Sequence, residues 1–217
     1  MKTDSQRLSE IKRVYEDGAE TFLARTSEDV IAKNWWDVVE MRDKFLSYIS
    51  QESTILDVGC GTGRDAKYFI QHGHRVVGID ICEPFILDLQ NTTPGNYLVG
   101  DIVDPSSPIY QAKYDAIWCN AAIVHLTREE SVQVMRNCFD SLREWWVLFV
   151  ATKYDQNKTH MEEKESKSIP GSTKTYAYYT EIDLTNDLEQ TWFQILEKSF
   201  GQWAYWWDQF IRMYCKK

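Results

Sequence analysis

The segment Ile55-Leu56-Asp57-Val58-Gly59-Cys60-Gly61-Thr62-Gly63-Arg64-Asp65 constrains this chain more than any other. An apolar run ends in an acid, passes through Gly-x-Gly-x-Gly and opens into a helical pattern at Asp65-Ala66-Lys67-Tyr68-Phe69-Ile70. The pattern predicts a strand, a glycine turn and a helix start, the layout with which α/β folds hold a nucleoside. Glycine permits positive φ and lets a ligand lie against bare backbone. A dinucleotide-type Gly-x-Gly-x-x-Gly needs glycine at position 64, where this chain has Arg64, so a nucleoside without phosphates fits better than a diphosphate.

Two further strand ends repeat the signal. Arg75-Val76-Val77-Gly78-Ile79-Asp80 is an apolar strand closing on an acid, roughly 20 residues past the glycine turn, where an acid accepts hydrogen bonds from ribose hydroxyls. Tyr97-Leu98-Val99-Gly100 leads into Asp101-Ile102, placed to meet an adenine amino group. Asp57, Asp80 and Asp101 thus arrive in order at one sheet edge. Strands are expected near 54–58, 75–80, 96–100 and 114–119, with helices near 64–72 and 84–90. Thr127-Arg128-Glu129-Glu130 fits a capping box, opening a helix before a fifth strand within Leu142 to Val150. This alternation implies a doubly wound, mostly parallel sheet with helices on both faces.

These pieces, LDVGCGTGR (56–64), VVGID (76–80), GDI (100–102) and YDAIWCNAAIVHL (114–126), resemble the class I S-adenosylmethionine-dependent methyltransferases, over about 54–150. The resemblance implies a Rossmann-like sheet ending in an antiparallel strand, with S-adenosylmethionine as cofactor and S-adenosylhomocysteine as product. It assigns Asp57 with Gly59, Cys60, Gly61, Gly63 and Arg64 to the methionine portion. It assigns Asp80 and Ile81 to the ribose, Asp101 and Ile102 to the adenine, and Asn120 and Ala121 to the sulfonium end. More narrowly, the chain is similar to small bacterial methyltransferases that pair GRDA with a leading Tyr-x-x-x-Ala-x-x-aromatic segment, here Tyr15 to Phe22. It departs from the family before the fifth strand, where Leu142-Arg143-Glu144-Trp145-Trp146 replaces a Lys-Pro-Gly-Gly turn.

At 217 residues, one domain is the default: a helical cap over 1–50, a cofactor-binding core over 51–152, and a substrate-side loop with closing strands over 153–217. Asp155 to Thr175 is polar enough to read as a mobile loop, followed by closing strands over 191–197 and 209–215. A net charge of −9 with scattered basic residues disfavours a nucleic-acid partner. The polar start and the lack of a membrane-length apolar run predict a cytoplasmic protein, monomeric or homodimeric, with no membrane partner. The cysteines at 60, 82, 119, 138 and 215 show no Cys-x-x-Cys spacing, so neither a metal motif nor a disulfide framework is expected.

Methyl transfer needs alignment, exclusion of water and, for a proton-bearing nucleophile, a base. His125, just after the fourth strand, is the best-placed base, although a histidine here can equally serve to shape the pocket. Tyr15, Phe22, Trp36 and Tyr179 are candidates for the substrate wall. Flat rings suit an aromatic or heterocyclic acceptor, or a cationic amine. Arg25 and Arg64 are the charged residues expected to face the pocket. The expected activity is methylation of an O or N nucleophile on a small organic acceptor. Three alternatives stand beside it: methylation of a tRNA base or protein side chain, a cofactor-binding module without catalysis, and, last, a nicotinamide oxidoreductase.

Overall fold

A computed structural model describes residues 4–27, 36–202 and 209–217. Trp35, the aromatic run Trp203-Ala204-Tyr205-Trp206-Trp207 and the side chain of Trp36 lie outside the described residues. Helices α1 (Asp4–Asp17), α2 (Ala19–Arg25) and α3 (Trp36–Leu46) precede the sheet. The core then alternates β1 (Thr54–Val58), α4 (Arg64–Gln71), β2 (Arg75–Asp80), α5 (Glu83–Thr92), β3 (Asn96–Val99), β4 (Tyr114–Asn120), α6 (Arg128–Ser141) and β5 (Leu142–Tyr154). A hairpin of β6 (His160–Glu165) and β7 (Thr173–Tyr179), helix α7 (Glu181–Gln190), and strands β8 (Gln194–Gln202) and β9 (Gln209–Lys216) complete the chain.

Strands β3, β2, β1, β4 and β5 lie side by side in that order, all parallel; β9 pairs antiparallel with β5, and β8 with β9. The doubly wound arrangement follows from strand periodicity, because successive side chains point to opposite faces. Leu56 and Val58 of β1, Ile117 and Cys119 of β4, and Leu148 and Val150 of β5 pack on one face with Val134, Met135 and Cys138 of α6. Ile55, Ala116, Trp118 and Phe149 pack on the other, with Phe45 of α3, Phe69 of α4 and Leu89 of α5. Both faces being covered explains why these strands read as continuous apolar runs.

The capping box at Thr127 forms as expected, with Glu130 N donating to the Thr127 hydroxyl and Thr127 N to the Glu130 carboxylate. The turn without glycine is solved by running helix into strand. Helix α6 ends at Ser141, β5 begins at Leu142, and Trp145 takes φ of 71° beside an irregularity in the β4–β5 register.

The polar stretch after β5 departs from the expected loop: β6 and β7 form an antiparallel hairpin, with His160 opposite Tyr178 and Glu165 opposite Thr173. The reason is visible in β7, where Lys174, Tyr176 and Tyr178 alternate with Thr175 and Ala177. One row of long side chains lies on one face while β6 takes the exposed edge. Residues Lys153–Tyr154 of β5 pair with Tyr178–Tyr179, anchoring the hairpin to the sheet beside the strand ends.

Candidate active site

The C-terminal ends of β1, β2 and β4 open into a cavity of about 210 Å³, closed over by Leu8, Ile11 and Tyr15 of α1 and Phe22 of α2. The glycine turn forms its floor. Gly59 sits at φ of 70°, and a Cβ there would meet the Ala122 side chain at 2.5 Å, so only glycine fits. Gly63 caps α4 at φ of 71°. Gly61 N donates to Asp80 Oδ2 (2.9 Å), and Cys82 N donates to Asp80 Oδ1 (2.9 Å), which fixes the acid at the end of β2. Burial raises the carboxyl pKa of Asp80. Asp57 is raised further, first by burial and then by the nearby Asp65 charge, and its Oδ2 has no hydrogen-bond partner among the described residues. Asn120 Oδ1 is likewise buried and unpartnered.

Beneath this floor lies a polar hub. Asp65 accepts from Arg42 (2.6 and 2.8 Å), Arg64 (3.1 and 3.2 Å), Trp118 Nε1 (2.9 Å) and Asn120 Nδ2 (3.0 Å). Burial alone would raise its pKa, but Arg64 and Arg42 beside it hold the carboxyl well below the usual carboxylate range. The hub connects α3, α4 and β4, and so orients Arg64 and Asn120 at the cavity wall.

At the far end, His125 ends a short turn after β4 and is buried. Its Nδ1 lies 2.7 Å from the Thr175 carbonyl oxygen, which can only accept, so Nδ1 carries the proton. The Tyr15 hydroxyl, 3.0 Å away, therefore donates to an unprotonated Nε2. Burial, then the charge of Lys174, pushes the imidazole pKa down to about 3. Burial, with Tyr176 and Asp80 nearby, raises the Tyr15 phenol well above its ordinary value. Arg7 of α1 donates to the His125 carbonyl oxygen and pairs with Glu130, tying the helix that carries Tyr15 to the turn that carries His125. Two lysines complete this end: Lys153 from β5 and Lys174 from β7, with Tyr176 between them.

Of the residues singled out in the sequence, Asp57, Gly59, Cys60, Gly61, Arg64 and Asp80 line the cavity. So do Ile81, Asp101, Ile102, Asn120, Ala121 and His125, together with Tyr15 and Phe22. Gly63 lies behind the wall as the α4 cap. Tyr179 is placed elsewhere: its ring is buried in the core with Leu184 and Leu188, because it points to the opposite face of β7 from Tyr176. Arg25 is exposed on α2, and Thr26 lines the cavity in its place. All five cysteines are free and buried. Sequence reasoning missed Lys153, Lys174, Tyr176 and the Arg42–Asp65 pair. The first three were recoverable from the period-two pattern in Thr173-Lys174-Thr175-Tyr176 and from the continuation of β5 to Lys153; Arg42 carried no signal beyond a helical position.

Residues 55–144 match the family described as a methyltransferase domain. Over 148 residues the chain is 26% identical to a ubiquinone biosynthesis O-methyltransferase of Histophilus somni, covering 56% of this chain and 59% of that protein. Over 198 residues it is 25% identical to a phosphoethanolamine N-methyltransferase of Plasmodium falciparum, covering 82% of this chain and 73% of that one. A crystal structure of Burkholderia thailandensis 1,6-didemethyltoxoflavin-N1-methyltransferase, with its acceptor and S-adenosylhomocysteine bound, superposes with a TM-score of 0.75 at 14% identity, covering 100% of this chain and 91% of that one. The chain thus spans less than two thirds of the first relative's length. Over residues 55–144 the chain is thus similar to a methyltransferase domain, and its fold is that of solved S-adenosylmethionine-dependent methyltransferases. Among the described residues, no helix is long and apolar enough to cross a membrane.

Proposed function

We propose that this chain transfers a methyl group from S-adenosylmethionine to an O or N nucleophile of a small, ring-bearing acceptor. The observation that carries the proposal is the Tyr15–His125 hydrogen bond, set in the same cavity as Asp57, Asp80 and Asp101. The cofactor's chemistry suits the acid end. Among the described residues, Asp57 Oδ2 and Asn120 Oδ1 are buried acceptors lacking donors, as an ammonium group requires. The space where a Gly61 Cβ would stand is open for 4 Å, leaving bare backbone for a ligand. Asp57 and Asn120 then hold the methionine portion, Asp80 the ribose, and Asp101 with Ile102 the adenine. When bound, S-adenosylmethionine supplies an electrophilic methyl group on a sulfonium sulfur.

The protein's own part is to position the acceptor, exclude water and remove a proton. The Tyr15 hydroxyl lies between the acid end and His125, so an acceptor proton passes to the Tyr15 oxygen as the Tyr15 proton passes to His125 Nε2. Closure by α1 and α2 makes a chamber, which favours a small acceptor over a tRNA base or a protein side chain.

The test is a thermal-unfolding shift with S-adenosylmethionine and S-adenosylhomocysteine against NAD. At a hundred times its dissociation constant a ligand adds about 2.7 kcal/mol, a rise of roughly 5–10 °C at this size. Asp80→Ala should abolish most of that rise. No rise with either adenosyl ligand, or an equal rise with NAD, overturns the reading.

A further inference from the structure

The Tyr15–His125 hydrogen bond joins two segments 110 residues apart, and it holds only while α1 keeps one register against the turn after β4. We infer that Arg7 and Glu130 set that register, as positioning residues for the proton relay rather than members of it. The inference rests on the relay proposed for Tyr15 and His125.

Arg7, Ile11 and Tyr15 recur at four-residue spacing and so share one face of α1. Ile11 is buried there, but apolar packing is non-directional and does not by itself fix where a helix stands along its axis. The Arg7 guanidinium does, because its planar fork reaches two fixed oxygens at once. One is the backbone carbonyl oxygen of His125, and the other belongs to the Glu130 carboxylate. One face of α1 therefore grips His125 twice, at its carbonyl through Arg7 and at its Nε2 through Tyr15.

Glu130 is itself anchored. Its carboxylate accepts from Thr127 N at 2.7 Å in the capping box, so Arg7 is tied to a helix start rather than to a loop. Arg7 is 7% exposed and the Glu130 side chain 13%, so water competes little for the pair. A buried ion pair is a poor device for stability alone, since an apolar pair of similar volume often does as well. A directional fork supplies what apolar packing lacks, a single placement of α1. The Tyr15 ring also lies 3.9 Å from Lys174 Nζ, so a slip of α1 would move that contact with the relay.

The test needs no methyl acceptor: it reads amide hydrogen exchange of α1 and the NMR resonances of the His125 imidazole in the full chain. Arg7→Met should speed exchange in α1 roughly tenfold to a hundredfold, the loss of a charge-assisted hydrogen bond. The imidazole is faced by Tyr15 and Arg7 from α1, Lys174 and Tyr176 from β7, and Lys153 from β5. Burial first, then the charges of Lys174, Lys153 and Arg7, hold its pKa down at about 3. Removing the Arg7 charge would raise that value without any movement, so a second variant decides. Arg7→Lys with Glu130→Gln keeps the positive charge and the capping box, but neither the fork nor the ion pair. Its imidazole should lose the Tyr15 bond, meet water and begin to titrate between about 3 and 6.5. Asp65→Ala, which destabilises the chain from the other end of the cavity, should leave these resonances in place. The inference is overturned if the double variant keeps native His125 resonances, whatever its exchange rates, or if Asp65→Ala shifts them as far. S-adenosylhomocysteine should still raise the unfolding midpoint of each variant, because the strand ends and glycine turn are untouched. Failure to raise that of the native chain sinks the methyltransferase reading instead, and the imidazole result then decides the register by itself.

Discussion

Asp65→Ala should lower the unfolding midpoint by roughly 6–20 °C, on a cost of about 3–5 kcal/mol for removing one partner of a buried ion pair. Four side chains converge on this carboxylate, and two of them, Arg42 and Trp118, are wholly buried. Truncation takes the Asp65 carboxylate from the Arg42 guanidinium and an acceptor from the Trp118 indole. Asp65→Asn keeps the shape but not the charge and should fall between. Replacing both charges, as Arg42→Met with Asp65→Leu, should recover part of the loss, because the guanidinium that Asp65 balances goes with it. The pH dependence carries a sign. Asp65 titrates below its unfolded value of about 3.9, so its contribution is full above that pH and fades as pH falls through the native pKa. The acid side of the midpoint-versus-pH curve should therefore be flatter in Asp65→Ala. A drop of less than about 2 °C, on the same 2–4 °C per kcal/mol, would mean that the pair does not hold the fold.

How far the sequence reaches is clear from these residues. The end of the cavity that carries Asp57, Asp80 and Asp101 is built from backbone periodicity and strand ends, both local in sequence. The end that carries His125 is assembled from segments far apart in the chain. His125 meets Tyr15 across 110 residues and Thr175 across 50. Asp65 was visible as a neighbour of Arg64, but its partnership with Arg42 depends on how α3 crosses α4. The hairpin was misread as loop because polarity was weighed over alternation, and that cost Lys174 and Tyr176. Tyr179 shows the reverse error: a one-residue step along a strand moves a side chain to the other face.

His125→Ala should reduce turnover by roughly 10²- to 10⁴-fold, the usual range for a general base, with S-adenosylhomocysteine affinity unchanged. The Arg7 bond to position 125 uses the backbone carbonyl and survives the change, so the cap over the cavity stays in place. Tyr15→Phe keeps the ring beneath Lys174 but removes the hydroxyl. A loss matching His125→Ala means the proton passes through Tyr15; a much smaller one means His125 takes it directly. The imidazole supplies a second readout that needs no acceptor. With its pKa pushed down to about 3, its NMR resonances should not titrate near 6.5, the ordinary histidine value. The stability consequence has a definite direction: as pH falls through about 6.5 the unfolded chain gains a proton that the native site refuses, so His125 costs stability between about 6.5 and 3 and none above. The acid limb of the rate profile should thus end in unfolding rather than in a reversible titration near 6.5. Unchanged turnover in His125→Ala would remove the base from the mechanism, and an imidazole titrating near 6.5 would mean that the site is open to water.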